Sequence, residues 1–191
     1  MVAVLYVYER QDVRHGTMAS GVVALEKMGR ESGFSVTATE DAKYFEEDSL
    51  KHYATVVFLN TTKDVLNDVQ QADFERYIQA GGGFVGIHAA TDTEYDWPWY
   101  TKLVGAVFDS HPRIQEAQLL ISDAKHPTTK HLDSVWIKSD EWYNSKNINP
   151  DINVLIHMDE TSYEGGTNEK NHPISWYHEY DGGRAFYTEM G

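Results

Sequence analysis

The groups able to do chemistry here are imidazoles, carboxylates and hydroxyls, because the chain has nine histidines, many acids and no cysteine. The most informative of them is His88. It ends the apolar run Phe84-Val85-Gly86-Ile87 and is followed by Ala89, Ala90 and Asp92, within GGGFVGIHAATDTEYDWPWY at 81–100. An apolar run that stops at a histidine beside small residues describes a buried strand handing an imidazole to a tight turn. The carboxyl edge of an open α/β sheet is where ligands bind. An imidazole titrates near ~6.5, which suits a general base or acid at neutral pH. Tyr95, Trp97, Trp99 and Tyr100 follow closely and offer faces on which a hydroxyl-bearing ligand such as a sugar would stack. The plain alternative is a histidine that merely ends a strand, with tryptophans that fill a core.

Other polar residues fall where strands should end. His15 follows the first apolar run and Asn60 follows ATVVFL. His111-Pro112 and His172-Pro173 lie in loops, where proline confines the preceding residue to extended geometry. Asp140-Glu141-Trp142-Tyr143 follows the strand expected at 135–138, and Asp159-Glu160 the one expected at 154–158. The repetition points to one pocket fed by several strands. His88 would form its floor, with His15, Asn60, Asp92, His111, Asp140, Glu141 and His172 on the walls. Trp97, Trp99, Tyr100, Trp142 and Tyr143 would supply stacking and hydroxyl contacts. His52, His126 and His131 read as surface or loop residues, and His157 as a hydrogen-bonded core group.

Three chemistries fit such a set. In the first, His88, His15, Asp92, Glu141 and His172 work as general acids and bases. In the second, His15, His88, His111 or His172 joins a carboxylate around a divalent metal such as Zn, Mn or Fe. The chain has no HExxH or other close ligand pair, so no metal or other cofactor is expected and the metal reading is the lesser one. The third, a serine nucleophile, would want G-x-S-x-G, which is absent. Gly86-Ile87-His88-Ala89-Ala90 has the shape of a nucleophile elbow with histidine in the nucleophile's place.

The elements needed to position these groups can be read along the chain. Val2 to Tyr8, Phe34 to Thr37, Ala54 to Leu59 and 84–87 read as strands. Helices are expected over 18–32, 48–53, from Asn67 to Ala80 and over 98–106. Asn67 with Gln70 resembles a capping box, and Val69, Ala72, Phe74, Tyr77 and Ile78 form the expected buried stripe. Alternation of strand and helix indicates a mostly parallel central sheet with helices on both faces. Short strands are expected at 118–121, 135–138, 154–158, 174–177 and 184–187, adding to the same sheet.

The 191 residues suffice for one domain. A net charge of −14 argues against nucleic-acid backbones and anionic membrane surfaces as partners. The expected partner is a small-molecule sugar, and a homo-oligomer stays open. The start, MVAVLYVYER, carries no leader pattern and is too short an apolar run to span a bilayer. A cytoplasmic location follows, with a trimmed exported precursor left open.

These residues resemble the ThuA-like proteins, associated with trehalose utilisation, along almost the whole chain. The resemblance is carried by the segment from Leu59 to Pro112, by DEWYN at 140–144, by DE-x-x-Y at 159–163 and by HPISWYHEYDGGRAFYTEMG from His172. It implies a class I glutamine amidotransferase-like, flavodoxin-like α/β sandwich. In that fold the elbow carries a catalytic cysteine; here it holds His88, which rules out glutamine hydrolysis through a thioester. It also implies a place in carbohydrate catabolism beside oxidoreductases that make 3-keto-glycosides. The resulting expectation is an enzyme using histidine acid/base chemistry on a sugar or keto-sugar. A non-catalytic sugar-binding or regulatory module and a metal-dependent hydrolase are the alternatives. Family members usually continue past the GRAFYT-type strand with a further histidine and a closing helix. Residues 1–191 are therefore expected to be a single domain short of that C-terminal segment.

Overall fold

The computed structural model describes residues 2–7 and 18–191. In chain order the strands and helices are β1 (Val2–Val7), α1 (Met18–Ser32), β2 (Phe34–Thr39), α2 (Glu47–Leu50), β3 (Thr55–Leu59), α3 (Asp68–Gln79), β4 (Gly83–Ile87) and α4 (Pro98–Val104). Seven strands follow: β5 (Val107–Ser110), β6 (Gln115–Ile121), β7 (Val135–Asp140), β8 (Asn144–Lys146), β9 (Asn153–Asp159), β10 (Pro173–Tyr180) and β11 (Gly183–Thr188). Among the described residues nine strands form one sheet in the order β2-β1-β3-β4-β11-β10-β9-β6-β7, and β5 pairs with β8 in a separate ribbon. From β2 to β11 every pairing is parallel. From β10 to β7 every pairing is antiparallel. The four-stranded α/β half expected from the sequence therefore gains β11 as a fifth parallel strand. That strand leaves β4 with a parallel neighbour on each side.

Period-two alternation gives β3 two buried faces. Val56 and Phe58 join Phe45, Phe74, Phe84, Tyr100 and Trp176 under α2, α3 and α4. Val57 and Leu59 face the other way, toward Val22 and Leu25 of α1. A further cluster, including Leu119, Trp142, Leu155 and Ile174, lies under the antiparallel strands. Helices thus cover both faces of the parallel half, as the alternation requires. Among the described residues no helix is long and apolar enough to cross a membrane.

The ends of the helices follow their sequence signals. Asn67 caps α3 by accepting from the amides of Val69 and Gln70, and the Gln70 side chain accepts from the Asn67 amide. Such a cap contributes ~1 kcal/mol. Val69 does not join the buried stripe and is 69% exposed. Five residues before Phe74, it lies about 140° around the helix from that anchor. Helix α4 starts at Pro98 and stops at Gly105, which adopts φ +99°. A Cβ there would lie 2.4 Å from Trp176 Nε1, so both space and backbone conformation require glycine. The short helix expected at 48–53 is present as α2, starting one residue earlier and ending at Leu50, and a 3-10 turn over Ala42–Phe45 precedes it.

Candidate functional site

Three adjacent parallel strands, β3, β4 and β11, reach the carboxyl edge in register, with Ile87 paired to Leu59 on one side and Thr188 on the other. The residues next to these ends are Asn60, His88 and Glu189. All are buried, at 3%, 3% and 1% exposure. Asn60 and His88 both take φ +51°, a left-handed conformation that a side-chain-bearing residue enters at a cost. For His88 this conformation makes the elbow. Gly86 opens space behind it, since a Cβ there would lie 3.0 Å from Tyr187 Cδ2 and 3.1 Å from Ala90 Cβ. The Tyr187 hydroxyl donates to the His88 carbonyl at 2.7 Å. Because that proton is committed, the Thr91 hydroxyl donates in turn to the Tyr187 oxygen at 3.2 Å. Burial holds the Tyr187 hydroxyl well above its ordinary pKa and keeps it a donor.

The imidazole of His88 is oriented from both nitrogens. Nδ1 lies 2.6 Å from the main-chain oxygen of Glu189. A carbonyl only accepts, so Nδ1 carries the hydrogen and the neutral ring presents a lone pair at Nε2. Nε2 lies 2.9 Å from the Tyr143 hydroxyl and 3.4 Å from Glu141 Oε2. The rings of His88 and Tyr143 pack with centroids 4.6 Å apart. Burial, followed by neighbouring Tyr187, Glu141 and Glu189, raises the Tyr143 hydroxyl far above its usual range. It therefore stays protonated and donates to Nε2.

Tyr143 is clamped at its backbone as well. Its amide donates to Glu189 Oε1 at 2.7 Å, and its carbonyl accepts from His172 Nε2 at 2.8 Å. His172 has no exposed surface, and its Nδ1 lies 2.6 Å from Glu160 Oε1. With Nε2–H already given to a carbonyl, the contact with Glu160 must hold a second proton, on one partner or the other. Glu160 Oε1 also accepts from the Asn168 amide at 2.8 Å. Burial raises the Glu189 carboxyl well above its usual pKa, and the carboxylates of Asp140 and Glu141 push the same way. Its Oε2 has no hydrogen-bond partner among the described residues.

Of the residues expected in the pocket, His88, Glu141, Tyr143 and His111 come together. Glu141 Oε1 lies 3.5 Å from His111 Nδ1. Asn60 ends the neighbouring strand, and its amide donates to the Ile87 carbonyl at 3.1 Å. Asp140 pairs with Lys138, accepts from the Glu141 amide at 3.0 Å and accepts from the Gly191 amide at 3.3 Å. Asp92 sits in the turn after His88 and accepts from the Tyr95 hydroxyl. His15 lies outside the described residues.

Several expected roles need correction. His172 is a buried support for the Tyr143 backbone, with no surface to offer a ligand. Trp97, Trp99, Tyr100 and Trp142 form no stacking platform beside His88. Tyr100 and Trp142 have no exposed surface, and their polar atoms donate to the carbonyls of Ala90 and Gln115, both at 2.8 Å. Trp97 is packed against Trp99 and Tyr100 and donates to Glu75 at 2.9 Å. Trp99 donates to Asp181 at 2.7 Å. Asp181 precedes β11 and Glu189 follows it, so Trp99 is tied to the opposite edge of the sheet, about 20 Å of strand away. Rings that bury large area and satisfy their polar atom with a backbone or carboxylate acceptor are core elements.

The residues that sequence reasoning left without a role are Glu189, Tyr187, Thr91 and Glu160. Glu189 obeys the rule that singled out His88 and Asn60, a polar residue just past an apolar strand. Tyr187 and Thr91 carry no such signal, because their importance arises from contacts across the chain. Among the described residues no three His, Asp or Glu side chains form a group that could hold a metal ion.

A mixed sheet with a parallel half of five strands, helices on both faces of that half and a strand-end elbow bearing the principal side chain define an α/β protein of the glutamine amidotransferase-like fold. The chain belongs to the ThuA family, described as trehalose utilisation, which it matches over residues 3–191. That membership links it to carbohydrate metabolism. Among solved structures it is similar to a ThuA-like protein from Bacteroides uniformis, at 26% identity and a TM-score of 0.83 over 100% of this chain and 82% of that one. It is also similar to one from Parabacteroides merdae, at 24% identity and a TM-score of 0.78 over 100% and 79%. A β-galactosidase from Bacillus circulans sp. alkalophilus shares the fold alone, at 12% identity and a TM-score of 0.65 over 99% of this chain and 28% of that one. Among curated proteins none matches.

Proposed function

We propose that this chain is an enzyme that moves a proton on a sugar or keto-sugar, with Nε2 of His88 as the base. The observation that carries this reading is the 2.6 Å contact between His88 Nδ1 and the Glu189 carbonyl. It selects the tautomer whose lone pair is on the Tyr143 and Glu141 side. In a 3-keto-glycoside the carbon beside the keto group bears an acidic hydrogen. With a substrate in place the Tyr143 hydroxyl turns from Nε2 to the keto oxygen and frees the lone pair; His88 takes that hydrogen, the electron pair moves toward the keto oxygen, and the Tyr143 hydroxyl donates to the oxygen as charge develops. Glu141 Oε2, 3.4 Å from Nε2, stabilises the imidazolium. Asn60 and Asp140 supply hydrogen bonds to sugar hydroxyls. The step is redox-neutral, so proton transfer alone needs no cofactor.

One observation weighs against His88 as a base and keeps a non-catalytic sugar-binding role as the second reading. His88 is only 3% exposed, and a Cβ on Gly191 would lie 2.9 Å from its Cγ. A ligand must gain access past this cover before the base can act. Mass spectrometry of 3-keto-glycosides and their parent disaccharides incubated with the protein separates the two readings. Turnover that His88→Ala reduces by ~10²–10⁴-fold, with melting unchanged, supports the base. Binding of such sugars without any turnover decides for the binding module.

A further inference from the structure

We infer that two copies of this chain pair edge to edge through β7, antiparallel about a two-fold axis at Ile137. Strand β7 ends the nine-stranded sheet, and among the described residues it pairs with β6 alone. The Ile121 amide donates to the Ser134 carbonyl at 3.0 Å, so Ser134 turns its backbone groups to β6. In an antiparallel ladder, residues that do so alternate with residues that turn them away. Trp136, Lys138 and Asp140 therefore face β6, and the N–H and C=O groups of Val135, Ile137 and Ser139 form the open edge. Such an edge is a template for another strand.

The side chains alternate in step with the backbone. Val135 and Ile137 are 41% and 57% exposed on the outer face, and Leu120, paired with Val135, adds a third apolar side chain at 38%. Trp136, Lys138 and Asp140 point to the other face and are half-buried. Trp136 packs on the cluster beneath the antiparallel strands, and Lys138 is held by Asp140. The lysine that could guard this edge is thus neutralised from within its own strand. The edge carries no proline, and its register with β6 has no irregularity.

This edge is its own complement, which makes a second copy the occupant. A two-fold at Ile137 sets Ile137 opposite the partner's Ile137, Val135 opposite the partner's Ser139, and Ser139 opposite the partner's Val135. Each pair exchanges both backbone bonds, so every open group of each copy finds a partner. On the outer face the two isoleucines meet, and Leu120 extends the apolar row. On the other face the partner's Lys138 comes to Trp136, a cation against an aromatic ring, and the partner's Ser134 comes to Asp140. No like charges stand directly opposite along the strand, where they would oppose pairing. The two-fold closes at two copies. A strand this short makes a small interface, so the dimer is reversible, with a Kd on the order of 10 µM.

Sedimentation velocity from ~1 to ~300 µM tests this, in salt that screens the repulsion between two copies of charge −14. The expected result is a monomer that becomes a dimer and goes no further. Ile137→Lys places two cations opposite each other. Ile137→Pro removes a donor of the open edge and leaves the ladder with β6 intact. Each should raise Kd at least ~10-fold with melting unchanged. Ile137→Glu alone should weaken the dimer as well, and mixing it with Ile137→Lys should restore a dimer with one copy of each. Only a position that faces its own equivalent allows that restoration. Amide exchange followed by NMR should slow at Val135, Ile137 and Ser139 as the wild-type dimer forms, and stay the same at Trp136 and Lys138. A wild type that is monomeric throughout, a dimer that the substitutions do not weaken, or a mixture that does not associate overturns the inference. Should the variants melt early, the wild-type amides decide, and protection that does not alternate along β7 overturns the pairing.

Discussion

The imidazole of His88 and the main-chain oxygen of Glu189 meet at 2.6 Å, although 101 positions separate them in the chain. The bond joins the ends of β4 and β11 and fixes which ring nitrogen carries the hydrogen. It also places the Glu189 side chain under Tyr143, whose amide it accepts at 2.7 Å. The tautomer, the tyrosine and the carboxyl are therefore set together by one pair of neighbouring strands.

Tyr143→Phe removes the hydroxyl that donates to His88 Nε2 but keeps the ring packed on the imidazole and against Phe108. Loss of one such hydrogen bond costs about 1 kcal/mol of stability. Turnover of a 3-keto-glycoside should fall by ~10²-fold, because the acid of the pair is gone. Denaturant melts alongside steady-state kinetics check both figures. Unchanged kcat would remove Tyr143 from the chemistry.

The His172–Glu160 pair is buried at its histidine, and Glu160 is only 15% exposed. Removing one member leaves the other without its partner, a change that costs ~3–5 kcal/mol for buried charged pairs. His172→Ala and Glu160→Ala should each lower stability by that order, and the double variant should lose much less than the sum of the two. Urea unfolding of the single and double variants measures this coupling. Additive losses would show that the two residues stand independently.

Glu189 gives stability a pH dependence of known sign. Its folded pKa lies above the unfolded value of about 4.3, so the native state binds more protons than the unfolded chain between the two values. Stability from this group is full below the unfolded value and is lost as pH rises through the raised folded value. Glu189→Gln keeps an oxygen for the Tyr143 amide and cannot ionise. The difference in unfolding free energy between the variant and the wild type should therefore move in the variant's favour as pH rises from 4 toward neutrality. Unfolding curves across that range test it, and a gap that stays constant or closes contradicts the buried proton.

How far the sequence predicts the fold differs from residue to residue. An apolar run stopped by one polar side chain is a strong local signal, so β4, the elbow at His88 and the strand end at Asn60 were all legible. The capping box at Asn67 and Gln70 was legible because its donors and acceptors lie within one turn. Strands β5 and β8 were not, since Val107-Phe108 is only a two-residue apolar stretch directly after the helix expected over 98–106, and Asn144-Ser145-Lys146 has no apolar residue; their pairing across the fold makes them strands. The aromatic cluster shows a different limit. Spacing shows that Trp97, Trp99 and Tyr100 are close together, but which way each ring points depends on Phe74, Glu75 and Asp181, which are remote in sequence. Likewise, His172 stood out as a histidine beside a proline, and only its contacts with Glu160 and Tyr143 reveal that it faces inward.

Trp97→Ala separates the packing role from a ligand-binding one. The ring is 8% exposed and belongs to the main core cluster. Its loss should cost ~3–5 kcal/mol, as large-to-small core changes do, with KM for a keto-sugar unchanged in the folded fraction. Calorimetry and kinetics below the melting transition measure the two effects. A raised KM with little loss of stability would return this tryptophan to the binding site.

The central claim is that His88 removes a proton from the carbon beside a keto group. The most direct measurement is hydrogen exchange into 3-keto-trehalose in deuterium oxide, followed by mass spectrometry and by NMR at the carbon beside the carbonyl. The wild type should place deuterium at that carbon well above the rate of buffer alone, and His88→Gln should lose this exchange by ~10²-fold or more while melting like the wild type. Deuterium incorporation that is equal in the two proteins, or no faster with the wild type than in buffer, would contradict the account.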